Sequence, residues 1–244
     1  MELTTILNRC HRFRGLVYEH ARFSADKKSI EVVVRPRKGS AAVCSRCHLP
    51  APGYDQLAER RFEFIPLWGF FVFLYAMRRI DYRNCGVVAV EEVPWGDGKR
   101  TLTKAYMLFL ARWARHLSWQ ETAECFRTSW DKVFDAAEHV VAWGLAHRTL
   151  GQIDAIGVDE IQYAKGHKYL KLVYQIDIGI TRLLWVGKER TIESFQGFFT
   201  AMGQEVISKI VFICSDMWGR YLKVIRQKCS DAVHILDRFQ SSPT

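Results

Sequence analysis

Two aspartates of this chain each follow a short apolar run that is typical of a β-strand. The first run begins at Ile153 and stops on Asp159 and Glu160, and the second begins at Lys209 and stops on Asp216. Neighbouring strands lie about 4.8 Å apart, and the two ions of a paired metal site lie roughly 3.5–4 Å apart. Carboxylates at the ends of adjacent strands could therefore share Mg²⁺ or Mn²⁺.

The residues between the two runs decide whether the strands are neighbours. Residues 169–177 and 182–186 are strand-like and flank a turn with a glycine at Gly179, and residues 191–202 have apolar side chains at helical spacing. The predicted order is three antiparallel strands, a helix and a fourth strand. A right-handed crossover places the fourth strand parallel to the first and beside it. The alternative to a metal site is that each strand ends in an aspartate that is exposed to solvent and has no further role.

This order, with acids at the ends of adjacent strands, is typical of RNase H-like nucleases and transposases. Glu160 directly follows Asp159, so its side chain is expected on the opposite face of the strand and outside the site. Asp237 follows a predicted fifth strand at residues 232–236. It could join the site or have a structural role.

Composition and charge limit the class of protein. The chain has 244 residues, of which 49% are hydrophobic and 25% charged, which indicates a globular protein of two or three modest domains. It has no apolar run of membrane-spanning length and no signal-peptide pattern, so we expect a cytoplasmic protein. Residues 1–150 have 23 Lys and Arg against 16 Asp and Glu, and the remainder has 12 against 10. The basic front half suggests a polyanionic partner, most simply DNA, although a solvated basic surface is equally compatible.

The seven cysteines are better interpreted as thiols or metal ligands than as disulfides, because no export signal is present. Cys44 and Cys47 have the spacing of a zinc knuckle. Cys85 offers a third thiolate, but Tyr82 stands where a fourth is expected, and His48 is the remaining candidate. The alternative is a degenerate ribbon that aromatic packing holds together.

The middle of the chain is predicted to be helical. Ser118 is an N-cap with a capping-box glutamate for a helix at residues 119–126, and Ser129 caps a further helix at residues 130–145. Helix, tight turn and helix is the arrangement that reads DNA, although ordinary helical hairpins share it. The basic residues that we expect to contact DNA are Arg112, Arg115, Arg127 and Lys132.

Six short motifs follow one another along the chain: Cys44-x-x-Cys47, Cys85-Gly-Val-Val with Glu91-Glu-Val-Pro-Trp95, Leu117-Ser-Trp-Gln-Glu-Thr-Ala123, Ile156-Gly-Val-Asp159-Glu, Cys214-Ser-Asp216-Met-Trp218 and Leu236-Asp-Arg-Phe239. In this order they resemble the ISL-three family of bacterial insertion-sequence transposases. The resemblance covers nearly the whole chain.

The resemblance implies a multidomain α+β chain. It implies a zinc-ribbon-like β domain at residues 1–95, a helix-turn-helix domain at residues 96–150, and a partial RNase H-like DDE catalytic domain with a mixed sheet at residues 151–244. The implied activity is the cutting and joining of element ends by two-metal phosphodiester chemistry. The implied partner is double-stranded DNA, comprising terminal repeats and target, with a homo-oligomer associated with the bacterial nucleoid.

The resemblance also implies roles for individual residues. Asp159 and Asp216 are the expected catalytic residues and magnesium ligands. Cys44, Cys47 and Cys85 are the expected zinc ligands, although Tyr82 departs from the family pattern.

The end of the chain is a second departure from the family. The sequence stops soon after Asp237 and before the downstream glutamate that would be the third catalytic carboxylate. We therefore expect an inactive, truncated copy that does not cleave DNA. The alternative is a non-catalytic DNA-binding protein that acts on element ends.

Overall fold

The computed structural model of the chain describes residues 2–67, 70–82, 86–96, 98–166, 168–188, 191–215 and 219–236. The chain folds into two compact units, Met1–Arg148 and Thr149–Thr244. Helices and strands occur in both units, so the predicted mixture of α and β structure is confirmed. The division into domains at residues 1–95, 96–150 and 151–244 stays a prediction.

The first unit consists of a short helix, a sheet and three further helices, in this order. Its elements are α1 (Leu3–Cys10), β1 (Leu16–Phe23), β2 (Ser29–Pro36), β3 (Ala42–Val43), β4 (Pro50–Ala51), β5 (Gly53–Phe64), β6 (Phe70–Tyr82), β7 (Val87–Val90), α2 (Lys104–Trp113), α3 (Trp119–Cys125) and α4 (Trp130–His147). The main sheet has the order β1-β2-β6-β5, and β7 pairs with β6. Strands β2 and β6 are parallel, and the other neighbours are antiparallel.

The core of this sheet is aromatic. Trp95 is buried, and its ring centroid lies 5.8 Å from that of Phe62, 5.6 Å from that of Phe73 and 5.4 Å from that of Tyr75. Edge-to-face contacts of this kind stabilise a core beyond the area that they bury. The aromatic residues between the two cysteine motifs therefore do supply packing.

Helices α3 and α4 begin where the sequence predicts. The Ser118 side chain accepts from the backbone N–H of Glu121, and the Glu121 side chain accepts from the backbone N–H of Ser118, which forms the predicted capping box at α3. The Ser129 hydroxyl caps α4 by accepting from the backbone N–H of Lys132. The core of the helices contains Leu110 and Val133, which are fully buried.

The second unit has the predicted order of elements. They are β8 (Ala155–Ala164), β9 (Lys168–Gln175), β10 (Arg182–Lys188), α5 (Ile192–Met202), α6 (Gln204–Ile207), β11 (Phe212–Ser215), α7 (Gly219–Lys228) and β12 (Val233–Leu236). The sheet has the order β10-β9-β8-β11-β12. Its first three strands are antiparallel, while β11 is parallel to both β8 and β12. The predicted placement of the fourth strand beside the first is confirmed.

One predicted boundary is wrong. Strand β8 does not stop on Asp159 and Glu160 but continues to Ala164. It continues because β9 pairs with it over this whole stretch, from Asp159 opposite Leu172 to Ala164 opposite Lys168. The end of this strand is set by its partner and not by the first charged residue.

The core of the second unit lies where α5 packs against the sheet. Phe195 and Phe198 on α5 are fully buried and belong to one cluster with Ile156 on β8 and Ile213 on β11. The Thr191 hydroxyl caps α5 by accepting from the backbone N–H of Ser194. These contacts hold β8 and β11 against α5. In the sequence, one predicted catalytic aspartate lies in β8 and the other directly follows β11.

None of the helices in the described part of the chain is long and apolar enough to cross a membrane.

Candidate functional site

Asp159 lies in the middle of β8 with its side chain exposed. Side chains alternate between the faces of a strand, and the neighbours Ile156 and Val158 are both buried in the core. Asp159 therefore shares the opposite, open face with Gly157. Its Oδ1 atom accepts from the backbone N–H of Glu160 at 2.7 Å, and within the described ranges Oδ2 has no hydrogen-bond partner.

Asp216, the second predicted catalytic residue, lies outside the described residues, as does Asp237. The parallel ladder between β11 and β8 can be followed up to the residue before it. The last pair is Ser215 opposite Val158. The described register thus ends one residue short of Asp159 on β8 and one residue short of Asp216 in the sequence.

Glu160 occupies the face opposite Asp159, as the sequence predicts. It is half-buried and lies opposite Lys171 in the register of β8 and β9. Lys171 is fully buried, donates from Nζ to the carbonyl of Thr191 at 3.0 Å and lies 5.2 Å from the ring centroid of Phe195. Sequence reasoning missed this lysine because lysines in strands are usually exposed.

The ends of β11 and β12 are linked by a polar contact next to the predicted site. Ser215 Oγ and His234 Nε2 are 2.8 Å apart, and Ser215 is buried. Burial lowers the pKa of His234, and nearby Arg226 lowers it further. His234 is therefore neutral near pH 7, and this contact fixes β11 without adding positive charge.

The predicted zinc knuckle is a tight turn. The backbone N–H of His48 donates to the carbonyl of Cys44 at 2.9 Å, and the backbone N–H of Cys44 donates to the carbonyl of Leu49 at 3.0 Å. Cys44 is buried and Cys47 is half-buried. The Nδ1 atom of His48 lies 2.7 Å from Oε2 of Glu92, so its ring already has a partner.

The third expected zinc ligand, Cys85, lies outside the described residues. Among the residues that the structure does describe, no group of three or more His, Cys, Asp or Glu side chains is arranged to hold a metal ion. The zinc site therefore stays a prediction.

A buried ionic network lies beside the knuckle. Glu91 forms an antiparallel bridge with Cys44. Its carboxylate accepts from the Tyr75 hydroxyl at 2.7 Å and from the Arg78 backbone N–H, Nε and Nη2 at 2.6, 3.0 and 2.8 Å. Burial and the Glu91 carboxylate raise the pKa of Tyr75, so its hydroxyl remains a donor. The network attaches the knuckle to β6.

Three of the predicted DNA-binding residues are exposed on the helices. Arg112 lies in the last turn of α2, Arg115 follows that helix, and Arg127 lies in the turn between α3 and α4. The ring centroid of Phe126 lies 4.8 Å from that of Phe109 and 5.4 Å from that of Trp113, both on α2. These aromatic contacts bring the turn that contains Arg127 to the end of α2. We name Arg112, Arg115 and Arg127 the basic helical face.

Lys132, the fourth predicted DNA-binding residue, has a partner within the chain. Its Nζ atom lies 2.7 Å from Oε1 of Glu63 on β5. Asp135 on the same helix accepts from Arg100 through both Nε and Nη2. The first ion pair joins α4 to β5, and the second joins α4 to the loop before α2. A phosphate contact by Lys132 would compete with the first.

Two comparisons identify similar proteins. A family model described as a transposase, of the DDE type and the ISL3 class, matches residues 156–240. The chain is 30% identical over 211 residues to the transposase for insertion sequence element IS1557 of Mycobacterium tuberculosis, in strains CDC 1551 and H37Rv, which covers 84% of this chain and 46% of the relative. It is 21% identical over 213 residues to the transposase for insertion sequence element IS1001 of Bordetella parapertussis, which covers 87% of this chain and 52% of the relative. The chain thus spans about half the length of the curated relatives that it matches.

Proposed function

We propose that the chain is a transposase of the ISL-three family, in which its two units divide DNA binding and metal-dependent phosphodiester chemistry between them. The family model and the IS1557 relatives support this proposal. In this proposal the second unit is a partial RNase H-like domain that positions catalytic carboxylates. The first unit is the DNA-binding part. The homo-oligomer and the association with the nucleoid stay predictions.

The arrangement of β8 and β11 is the observation that carries the catalytic part. Parallel strands bring their carboxyl ends to the same edge of a sheet, and β11 is parallel to β8 and directly beside it. The described register ends one residue before Asp159 on β8. Ser215 and Ile213 of β11 are buried, and side chains alternate along a strand. We therefore propose that Asp216, the next residue in the sequence, belongs to the open face.

Asp159 suits a hard divalent ion. Its carboxylate is exposed on the open face, and one of its oxygens is committed only to the adjacent backbone N–H. We propose that Asp159 and Asp216 hold Mg²⁺ or Mn²⁺, since such ions prefer carboxylate oxygens. Bound ions of this class supply Lewis acidity and a nucleophilic water for phosphodiester cleavage. The neighbour Glu160 is kept out of this site by its place on the core face opposite Lys171.

The basic helical face supports the DNA-binding part. Helices α3 and α4 with their short turn have the form of a helix-turn-helix, and Arg127 lies in that turn with Arg112 near it. Exposed arginines recognise phosphates well, because the planar guanidinium can donate two parallel hydrogen bonds. We therefore propose that this face contacts the phosphates of duplex DNA.

Zinc is a further part of the proposal. We propose Cys44 and Cys47, which have the spacing of a zinc knuckle, as two zinc ligands, with Cys85 as the third ligand that the family resemblance implies. Glu91 and Arg78 attach the turn that contains Cys44 and Cys47 to β6, so metal bound there would be held on a rigid part of the sheet.

The DNA-binding part is tested by fluorescence anisotropy with the full chain and a duplex from the ends of an ISL-three element. We expect binding whose affinity falls steeply with salt, because neutralised phosphates release counterions. The substitutions Arg112→Gln and Arg127→Gln should each weaken binding and lower the salt slope by about 0.9. Lys209→Gln is the matched control, since it removes the same charge from an exposed residue of the second unit. A chain that binds no duplex at low salt contradicts the DNA-binding part.

A further inference from the structure

A second basic site lies in the first unit, away from the basic helical face. An open cavity of 570 Å³ is lined by residues 12–15 of the loop before β1, by Arg37 of the loop after β2, and by side chains of α1, β1 and β2. Arg12, Arg14 and Arg37 line it, and all three are exposed. We name this site the arginine cleft.

The two loops of the arginine cleft are fixed to each other. The backbone N–H of Arg37 donates to the carbonyl of Gly15 at 2.8 Å, and the backbone N–H of Ser40 donates to the carbonyl of Arg37 at 2.9 Å. Gly15 has a φ of +78°, and a Cβ atom there would lie 3.3 Å from Cβ of Ser40. A glycine is therefore required for the close approach. These contacts preorganise the backbone of both loops for ligand binding.

Phe13 anchors the first loop. Its ring centroid lies 5.0 Å from that of Trp95 in the aromatic core and 4.8 Å from that of His11. Arg12 and Arg14 flank this anchored residue, and both line the cleft. The anchoring reduces the conformational entropy that the loop loses when a ligand binds, which favours affinity.

The charge of the arginine cleft is not compensated within the chain. Within the described part of the chain, no acidic side chain lines the cleft or forms an ion pair with its three arginines. By contrast, Arg22 on β1 and Arg35 on β2 pair with Glu31 and Glu19. Three like charges in one concave site repel one another and raise the local concentration of anions. The cleft is therefore suited to an anionic ligand.

We propose that the arginine cleft binds the phosphodiester backbone of duplex DNA. This inference rests on the proposed function, because it adds a second DNA contact to the first unit. The chemistry that the cleft recognises is the phosphate group, to which each guanidinium can donate two hydrogen bonds. The cleft is open and all three arginines are exposed, which suits a continuous polyanion. Contacts between these arginines and phosphates do not depend on the base sequence.

The test compares the full chain with the triple variant Arg12→Gln, Arg14→Gln and Arg37→Gln by fluorescence anisotropy on duplex DNA over a series of salt concentrations. Each neutralised phosphate contributes about 0.9 to the slope of log affinity against log salt, so the variant should lose about 2.7. Between 50 and 200 mM salt, the affinity of the unsubstituted chain should then fall about 40-fold more than that of the variant.

A matched control carries the same change of charge at the other end of the β1–β2 hairpin. It is the triple variant Arg22→Gln, Lys27→Gln and Lys28→Gln, whose residues lie at or near the hairpin turn. Eight residues of strand separate the turn from the cleft by about 26 Å. The control should keep the salt slope of the unsubstituted chain. A third variant, with the cleft arginines replaced by lysine, should keep most of the slope and shows that folding is intact.

The outcomes separate this inference from the proposed function. If the unsubstituted chain binds no duplex, both are wrong. If it binds and the cleft variant matches the control variant, the DNA-binding function stands and the arginine cleft inference is overturned. Calorimetric titration with inorganic phosphate tests whether the cleft binds a free phosphate ion instead of the DNA backbone. Tight phosphate binding that the cleft variant loses, with an unchanged DNA salt slope, identifies a small-anion site and overturns the DNA assignment.

Discussion

Replacing Glu91 by methionine tests the buried network that attaches the turn of Cys44 and Cys47 to the sheet. The Glu91 side chain is 3% exposed and the Arg78 side chain is 12% exposed. The substitution removes the acceptor for three donors of Arg78 and for the Tyr75 hydroxyl. It leaves a nearly buried guanidinium without its carboxylate. Breaking a buried ion pair in this way costs about 3–5 kcal/mol.

This cost is large compared with the stability of a domain. Typical domains unfold with a free energy of about 5–15 kcal/mol, so Glu91→Met should remove a substantial part of it from the first unit. The measurement is urea unfolding followed by tryptophan fluorescence, with the midpoint shifting and the slope staying constant. The second unit is a separate compact unit, and any transition that reports on it should not move.

The double variant Glu91→Met and Arg78→Met distinguishes the buried charge from lost packing. Removing both charges avoids the unpaired guanidinium, so the double variant should be destabilised by less than the sum of the two single variants. The reasoning is refuted if Glu91→Met costs less than about 1 kcal/mol. It is also refuted if the destabilisation of the double variant equals the sum of the destabilisations of the two single variants, since additivity means that the residues do not interact.

Three further perturbations have defined outcomes. If Cys44 is a zinc ligand, metal analysis should find about one zinc per purified chain, and Cys44→Ala should lose the metal and lower the melting temperature; a chain without zinc contradicts the site. The hydrogen bond from Arg61 holds the pKa of Glu31 below its usual range, so the stability that Glu31 contributes is present at neutral pH and lost as the pH falls below about 4. Glu31→Gln should lower the unfolding free energy at pH 7 and flatten its acid dependence, and an unchanged dependence counts against this assignment. Ser118→Ala removes the capping box with Glu121 and should cost about 0.5–2 kcal/mol in thermal unfolding, whereas no change would show that α3 does not depend on its cap.

Local patterns predicted the elements of the second unit well. Helical spacing located α5, and the crossover rule placed β11 beside β8. The end of β8 was predicted wrongly because pairing with β9 extends the strand past Asp159. A polar residue marks the end of a strand only when no partner continues beyond it.

Contacts between residues far apart in the sequence could not be predicted. Lys132 was expected on phosphate, but its partner Glu63 is 69 positions away, and no local pattern links the two. Lys171 is buried because it lies opposite Glu160 and beside the carbonyl of Thr191. The arginine cleft unites two loops that β1 and β2 separate in the chain. The excess of basic residues in the first half of the chain was visible in the sequence. Which of these arginines form ion pairs and which do not could be seen only in the structure.

The most direct test of the account is Mn²⁺ binding by the full chain, measured from the electron paramagnetic resonance signal of the free ion. We expect saturable binding that Asp159→Asn weakens by about tenfold or more, because a carboxylate ligand of the ion is lost. Glu160→Gln is the matched control and should bind Mn²⁺ as the unsubstituted chain does, since Glu160 lies on the opposite face of β8. Equal binding by the Asp159→Asn variant and the unsubstituted chain, or loss of binding in Glu160→Gln alone, would contradict the assignment of the catalytic metal site to the open face of this sheet.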